Sequence, residues 1–291
     1  MDKKTINKKR TVRNLIIFIV CTLALPWLGW GLDVLGNSDP HNQQESLGWL
    51  FFILTPLAVS LLLRVFAGDG WKDSGLKPAF KGNGKWYAFA LLFHPISHIL
   101  LLLISLGIGL TIIPDLSSAK FALIGQAILV AVIPNLFKNI FEEFAWRGYL
   151  APKIQSVVTR PLIGHALVGM VWFGWHLPYY LVLLDPAIMR SYTSLSLSVF
   201  LPMTLLGFIA VSIVYGEIRI RTNSVWPAVL MHVAGNVFLA ALVEQKFFST
   251  PSGIGELLVS PGWSSLISIV IFAVTGIGLY RLRRKSLRAE I

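Results

Sequence analysis

The chain is short of charge, of cysteine and of acidic residues, and each shortage excludes something. Only 13% of its 291 residues are charged while 55% are hydrophobic, with a mean hydropathy of +0.70, where a soluble domain carries roughly 25% charged residues. A soluble globular fold is thereby excluded. The single cysteine, Cys21, rules out an intrachain disulfide and a Cys-rich structural zinc site. Acidic residues number 14 against 25 Lys and Arg, a formal charge of +11, which could suggest nucleic acid. The basic residues, however, gather neither on a polar domain nor among stacking aromatics; they sit at the ends of apolar runs, and no nucleic-acid partner is expected. A ten-residue alternation of apolar and polar positions is missing too, so a membrane barrel is not the architecture.

What is present is a series of apolar stretches of about 20 residues, enough to cross a hydrocarbon core roughly 30 Å thick as helices. The expected fold class is all-α, a polytopic membrane helical bundle of about eight transmembrane helices. The spans are read at 14–35, 47–67, 86–113, 121–143, 162–184, 197–217, 225–243 and 263–281. Pro95 within the third is a reason to expect a kink. The first has no small-residue cleavage site, only Pro26, Trp27 and Trp30, and is read as a retained helix rather than a signal peptide. The one sizeable cytoplasmic loop, 68–86 with five glycines, leaves no room for a soluble domain, so residues 1–291 are read as a single integral membrane domain.

Charge gives an independent test of the count. With the amino terminus inside, twenty Lys and Arg fall in cytoplasmic segments and only Lys120, Arg190 and Lys246 fall outside, with Arg64 and Lys138 within spans. That asymmetry follows the rule that cytoplasmic loops are rich in Lys and Arg, and it places both termini in the cytoplasm of what reads as a bacterial cell membrane. Arg64, one turn from a helix end, is expected to snorkel.

Ionisable side chains at bilayer depth are costly and are functional candidates by default. The fourth span ends in "NLFKNIFEEFAWRGYL", residues 135–150, in which Asn135, Lys138, Asn139 and Glu142 share one helical stripe. Glu143 precedes Arg147 by four residues, the spacing of a favourable helical ion pair; the pair would occupy Glu143 and leave Glu142 available. The bland alternative is that both glutamates are interfacial charges. His176 lies deep in "GMVWFGWHLPYY" with Trp172 one turn before it and His165 on the same face; such a histidine can equally be a structural donor. In "SVWPAVLMHVAGNVF", His232 and Asn236 share a face, to act on one substrate atom or to join helices by hydrogen bonds. His94 and His98 have a spacing that could hold zinc, although Pro95 disturbs the turn and kink packing or polar joining competes.

These residues resemble the CAAX prenyl endopeptidase and bacteriocin-processing family of intramembrane proteases over about residues 120–245. The motif E-E-x-x-x-R stands as Glu142, Glu143 and Arg147; F-x-x-x-H is met by His176, with Trp172 in place of the phenylalanine; H-x-x-x-N is His232 and Asn236. The resemblance implies that Glu142 and His176 activate water and that His232 and Asn236 stabilise the oxyanion, with Glu143, Arg147 and Trp172 in support. It leaves zinc open: H-E-x-x-H is missing, yet Glu142, His176 and His232 could supply three ligands of an open catalytic site.

The expected activity is therefore endoproteolysis near the cytoplasmic face on a peptide or protein substrate, lipidated or not, with membrane lipid as the surrounding partner. Helix geometry raises an objection. At about 1.5 Å per residue, His176 and His232 lie deeper than Glu142 unless the fourth helix continues past Tyr149, and that continuation is expected. Two rivals stay open: a proton-coupled transporter, which should show an internal repeat that is not found here, and a non-catalytic scaffold or immunity protein of the same fold.

Overall fold

The computed structural model describes residues 3–112, 115–247 and 252–289. Its helices are α1 (Lys3–Leu35), α2 (Leu47–Val65), α3 (Gly84–Gly107), α4 (Ser118–Ala145), α5 (Ala151–Val157), α6 (Pro161–Pro178), α7 (Pro186–Tyr192), α8 (Leu197–Thr222), α9 (Trp226–Glu244), α10 (Ile254–Val259) and α11 (Leu266–Ala289), with π-helical turns at Trp146–Leu150 and Tyr179–Leu183. Among the described residues there is no strand, and eight helical segments are long and apolar enough to cross a bilayer. The protein is an all-α, polytopic integral membrane protein. The third span ends at Gly107; its expected end at 113 lies outside the described residues.

The fourth span outruns its apolar stretch of 121–143, in line with the expected continuation past Tyr149. It is helical from Ser118 to Val157, 40 residues, well past Tyr149. Along its first part large apolar side chains such as Leu129 (76% exposed) and Phe137 (60%) face outward, the pattern of a lipid-facing helix. From Glu142 to Leu150 every residue is buried. The π-helical turn has a local cause: Pro152 has no N–H to give to the carbonyl of Gly148, and the ladder slips so that Ala151 N bonds Trp146 O, five residues back. Pro178 precedes the second such turn, where Leu184 N reaches Tyr179 O at 3.0 Å. Single π-helical turns recur at functional sites.

By packing, the chain forms two compact units, Met1–Ser74 with Phe144–Thr193 and Gly75–Glu143 with Ser194–Ile291. In the first, α1 lies along α2, close enough that a Cβ on Gly29 would come within 2.6 Å of the Leu47 carbonyl. Asp33, buried in α1, accepts from Ser46 Oγ (2.6 Å), Leu47 N (2.8 Å) and Gly48 N (2.9 Å) and so satisfies the open amides at the start of α2.

Arg64 does not snorkel. It is 2% exposed; its guanidinium donates to the Gly148 carbonyl that Pro152 leaves open, to Gly70 O and to Asp73 Oδ1 at 2.8 Å. It also lies over the Tyr149 ring, 5.3 Å from the centroid. Lys153 Nζ adds a contact to Asp73 at 3.0 Å, and Tyr149 donates to Asp69 at 2.6 Å. Arg64 is held inward because the carbonyl and the carboxylate it serves are there.

In the second unit α3 lies against α9 and α8 against α11. Buried Glu217 on α8 accepts both nitrogens of Arg283 on α11, at 2.7 and 2.9 Å, a fork geometry. Val229, Val233 and Val237 of α9 pack against Ile128, Val132, Leu136 and Ile140 of α4. Both rows step by four residues, about one turn, and they set the register of the polar residues at the end of α4.

Candidate active site

That register carries the polar contacts. His232 Nδ1 is 2.9 Å from Glu143 Oε1, with Glu143 fully buried and His232 3% exposed. One turn along each helix, Asn236 Nδ2 donates to Asn139 Oδ1 at 3.1 Å. Since 143 meets 232 and 139 meets 236, α4 and α9 run antiparallel here, and two polar pairs one turn apart form a short ladder through an apolar interface. A carboxylate on Nδ1 fixes the tautomer of a histidine, leaves Nε2 to carry the lone pair, and stabilises the ring when it is doubly protonated.

Spacing alone assigns Glu143 to Arg147; the structure brings His232 to it. Glu142 is 7% exposed, and Lys138 Nζ approaches its Oε1 to 3.7 Å from a side chain that is itself 58% exposed, a weak pair by both distance and solvation. The predicted stripe on α4 therefore splits. Lys138 faces outward, Asn135 donates to its own helix at Ala131 O (2.9 Å), and Asn139 points into α9. Asn139 was on the stripe but not among the expected site residues. The signal that could have found it is the matched one-turn spacing of Asn139 with Glu143 and of His232 with Asn236 on antiparallel spans.

The remaining motif residues belong to the first unit. His176, half-buried in the last turn of α6, donates its Nδ1–H to Trp172 O at 2.9 Å, so the lone pair of the neutral ring is on Nε2. Tyr180 stacks on the ring at 6.0 Å between centroids, and Trp175 meets it edge-on at 4.5 Å. Arg147, fully buried, lies with its guanidinium carbon 4.3 Å from the Trp172 ring centroid. Tryptophan is the best partner for such a cation, which gives the exchange of phenylalanine for Trp172 a physical meaning.

Of the other buried histidines, His98 bonds within its own helix while His94 and His165 each reach a neighbouring helix. His98 Nδ1 donates to His94 O at 2.6 Å and His94 Nε2 is 3.1 Å from Tyr215 Oη, while His165 Nδ1 is 3.3 Å from Gln155 Nε2. Among the described residues no group of three or more His, Cys, Asp and Glu side chains is placed to hold a metal ion. No step below is routed through zinc.

Residues 124–238 match the family model described as type II CAAX prenyl endopeptidase Rce1-like, a stretch that includes every motif position from Glu142 to Asn236. No curated protein matches the chain.

Proposed function

We propose that this chain, whose residues 124–238 belong to the Rce1-like family of type II CAAX prenyl endopeptidases, hydrolyses a peptide bond at the membrane with water activated by Glu142 and His176. The match over these residues supports a CAAX-type intramembrane protease at family level. The observation that carries the finer reading is the buried Glu143 carboxylate 2.9 Å from His232 Nδ1. An oxyanion needs donors, and a histidine whose Nδ1–H is already given away can donate from Nε2 only when it holds both protons. The Glu143 carboxylate stabilises that imidazolium.

The steps follow from these assignments. Glu142 takes a proton from water with His176 sharing it through Nε2, and the hydroxide adds to the carbonyl carbon. His232 and one N–H of Asn236 receive the negative oxygen, the other N–H being held by Asn139. The proton then passes to the leaving nitrogen as the C–N bond breaks. Each proton transfer of this kind contributes roughly 10²–10⁴-fold.

The name of the family, prenyl endopeptidase, makes a prenylated C-terminal peptide the first substrate to offer, with the same peptide unprenylated beside it. Mass spectrometry of the products from purified protein is expected to show one internal cleavage, undiminished after dialysis against a chelator and lost in Glu142→Gln and His176→Ala. A transporter would release no new peptide, and a scaffold would bind substrate with Glu142→Gln intact and cleave nothing.

A further inference from the structure

The second unit holds a buried histidine that the mechanism above does not use. His94 on α3 is 0% exposed and sits against α9 at Gly235, where a Cβ would come within 2.8 Å of its Cδ2 and 3.0 Å of its Cγ. Any larger residue between His232 and Asn236 at that point would push the imidazole away. Its Nε2 is 3.1 Å from Tyr215 Oη on α8, and its Nδ1 has no hydrogen-bond partner among the described residues. A buried N–H without an acceptor is costlier than an unused lone pair. The proton therefore sits on Nε2 and is donated to Tyr215.

Tyr215 is fully buried and turns its ring perpendicular to that of His232, 85° at a centroid distance of 6.1 Å. Trp263 completes the enclosure: it stacks on His94 (6.3 Å, 19°) and reaches His232 at 6.4 Å. Two helices and a loop thus converge on one imidazole, with Glu143 fixing its Nδ1 from α4, Tyr215 from α8 and the Trp263 loop limiting how its plane can rotate. His98 secures the turn of α3 that carries His94 by donating to the His94 carbonyl.

We propose that His94 is a positioning residue for the reaction: by donating Nε2–H to Tyr215 Oη it fixes the aromatic wall that holds the plane of His232 while Glu143 fixes its tautomer. This rests on the endopeptidase reading above and adds a role to a span outside the three motifs. A reacting group displaced by 1 Å can lose about 10²-fold in rate, so the expected signature is a fall in kcat with KM little changed.

The experiment uses the purified full chain and compares His94→Ala, His94→Gln, His94→Asn, Tyr215→Phe and the double variant His94→Ala/Tyr215→Phe. Gln places an amide N–H where Nε2 stands; Asn places its amide at the Nδ1 position and cannot reach Tyr215. The expected result is a kcat loss of about 10–10²-fold in His94→Ala, Tyr215→Phe and His94→Asn, with KM within about twofold. His94→Gln recovers most of the loss, and the double variant is no worse than either single one, as for residues acting through one contact. Equal activity of the Gln and Asn variants, or losses that multiply in the double variant, overturn the proposal. A wild-type chain without cleavage overturns the endopeptidase reading instead. The positioning claim is then decided by 15N spectra of labelled histidine, in which the His232 ring signal must change in His94→Ala and return in His94→Gln; an unmoved signal overturns it.

Discussion

At the scale of single residues, burial decides what each charge can do. Arg64 is enclosed by a backbone carbonyl, a carboxylate and a tyrosine face. Arg64→Met removes the cation and leaves both the Gly148 carbonyl and part of the Asp73 charge unmatched. A loss of about 3 kcal/mol is expected, measured by thermal unfolding in detergent, whereas a snorkelling arginine would lose well under about 1 kcal/mol. Trp172→Phe restores the motif residue but gives Arg147 a poorer ring. It should lower stability by about 0.5–2 kcal/mol and leave the His176 hydrogen bond, which is to a backbone carbonyl, in place. Arg64 was misread from sequence because its distance from a helix end was visible and its partners were not: the carbonyl opened by Pro152 lies 84 residues away.

At the scale of elements, the eight spans were legible because each needs only a long apolar run, and that information is local. The continuation of the fourth span past Tyr149 was legible only from the depth of His176 and His232, since a helix buried on every side from Glu142 to Leu150 no longer shows the apolar stripe used to find the spans. The loop between α2 and α3 is anchored in the first unit by Asp69 and Asp73. Burial disfavours the charge of Asp73, yet hydrogen bonds from Arg64 and Lys153 and the positive charges behind them outweigh it and hold the carboxyl below the usual carboxylate range. A folded value below the unfolded one means that the contribution is complete above the unfolded pKa of about 3.9 and disappears as the pH falls through the folded value. Melting temperature should therefore be flat in this respect from about pH 5 to 7 and fall below about pH 4. Asp73→Asn should be less stable at neutral pH and lose part of that acid dependence.

At the scale of the whole molecule, the even number of candidate spans among the described residues, eight, and the Lys and Arg bias together lead us to propose that both termini face the cytoplasm. Cys21→Ser gives a cysteine-free chain in one step. On that background an impermeant maleimide added to intact cells should label Lys120→Cys and spare Lys81→Cys; the reverse would invert the topology. The three motifs were legible because each is a short local pattern. The pairing of Glu143 with His232 was not, since spacing within α4 points to Arg147 and only the α4–α9 register brings His232 to the same carboxylate. Its functional weight rests on one number, the turnover of Glu143→Gln on a peptide that the wild-type protein cleaves. Glutamine keeps an oxygen for His232 Nδ1–H but cannot stabilise an imidazolium, so kcat should fall by about 10²-fold or more with the fold intact; a turnover equal to wild type would contradict the account.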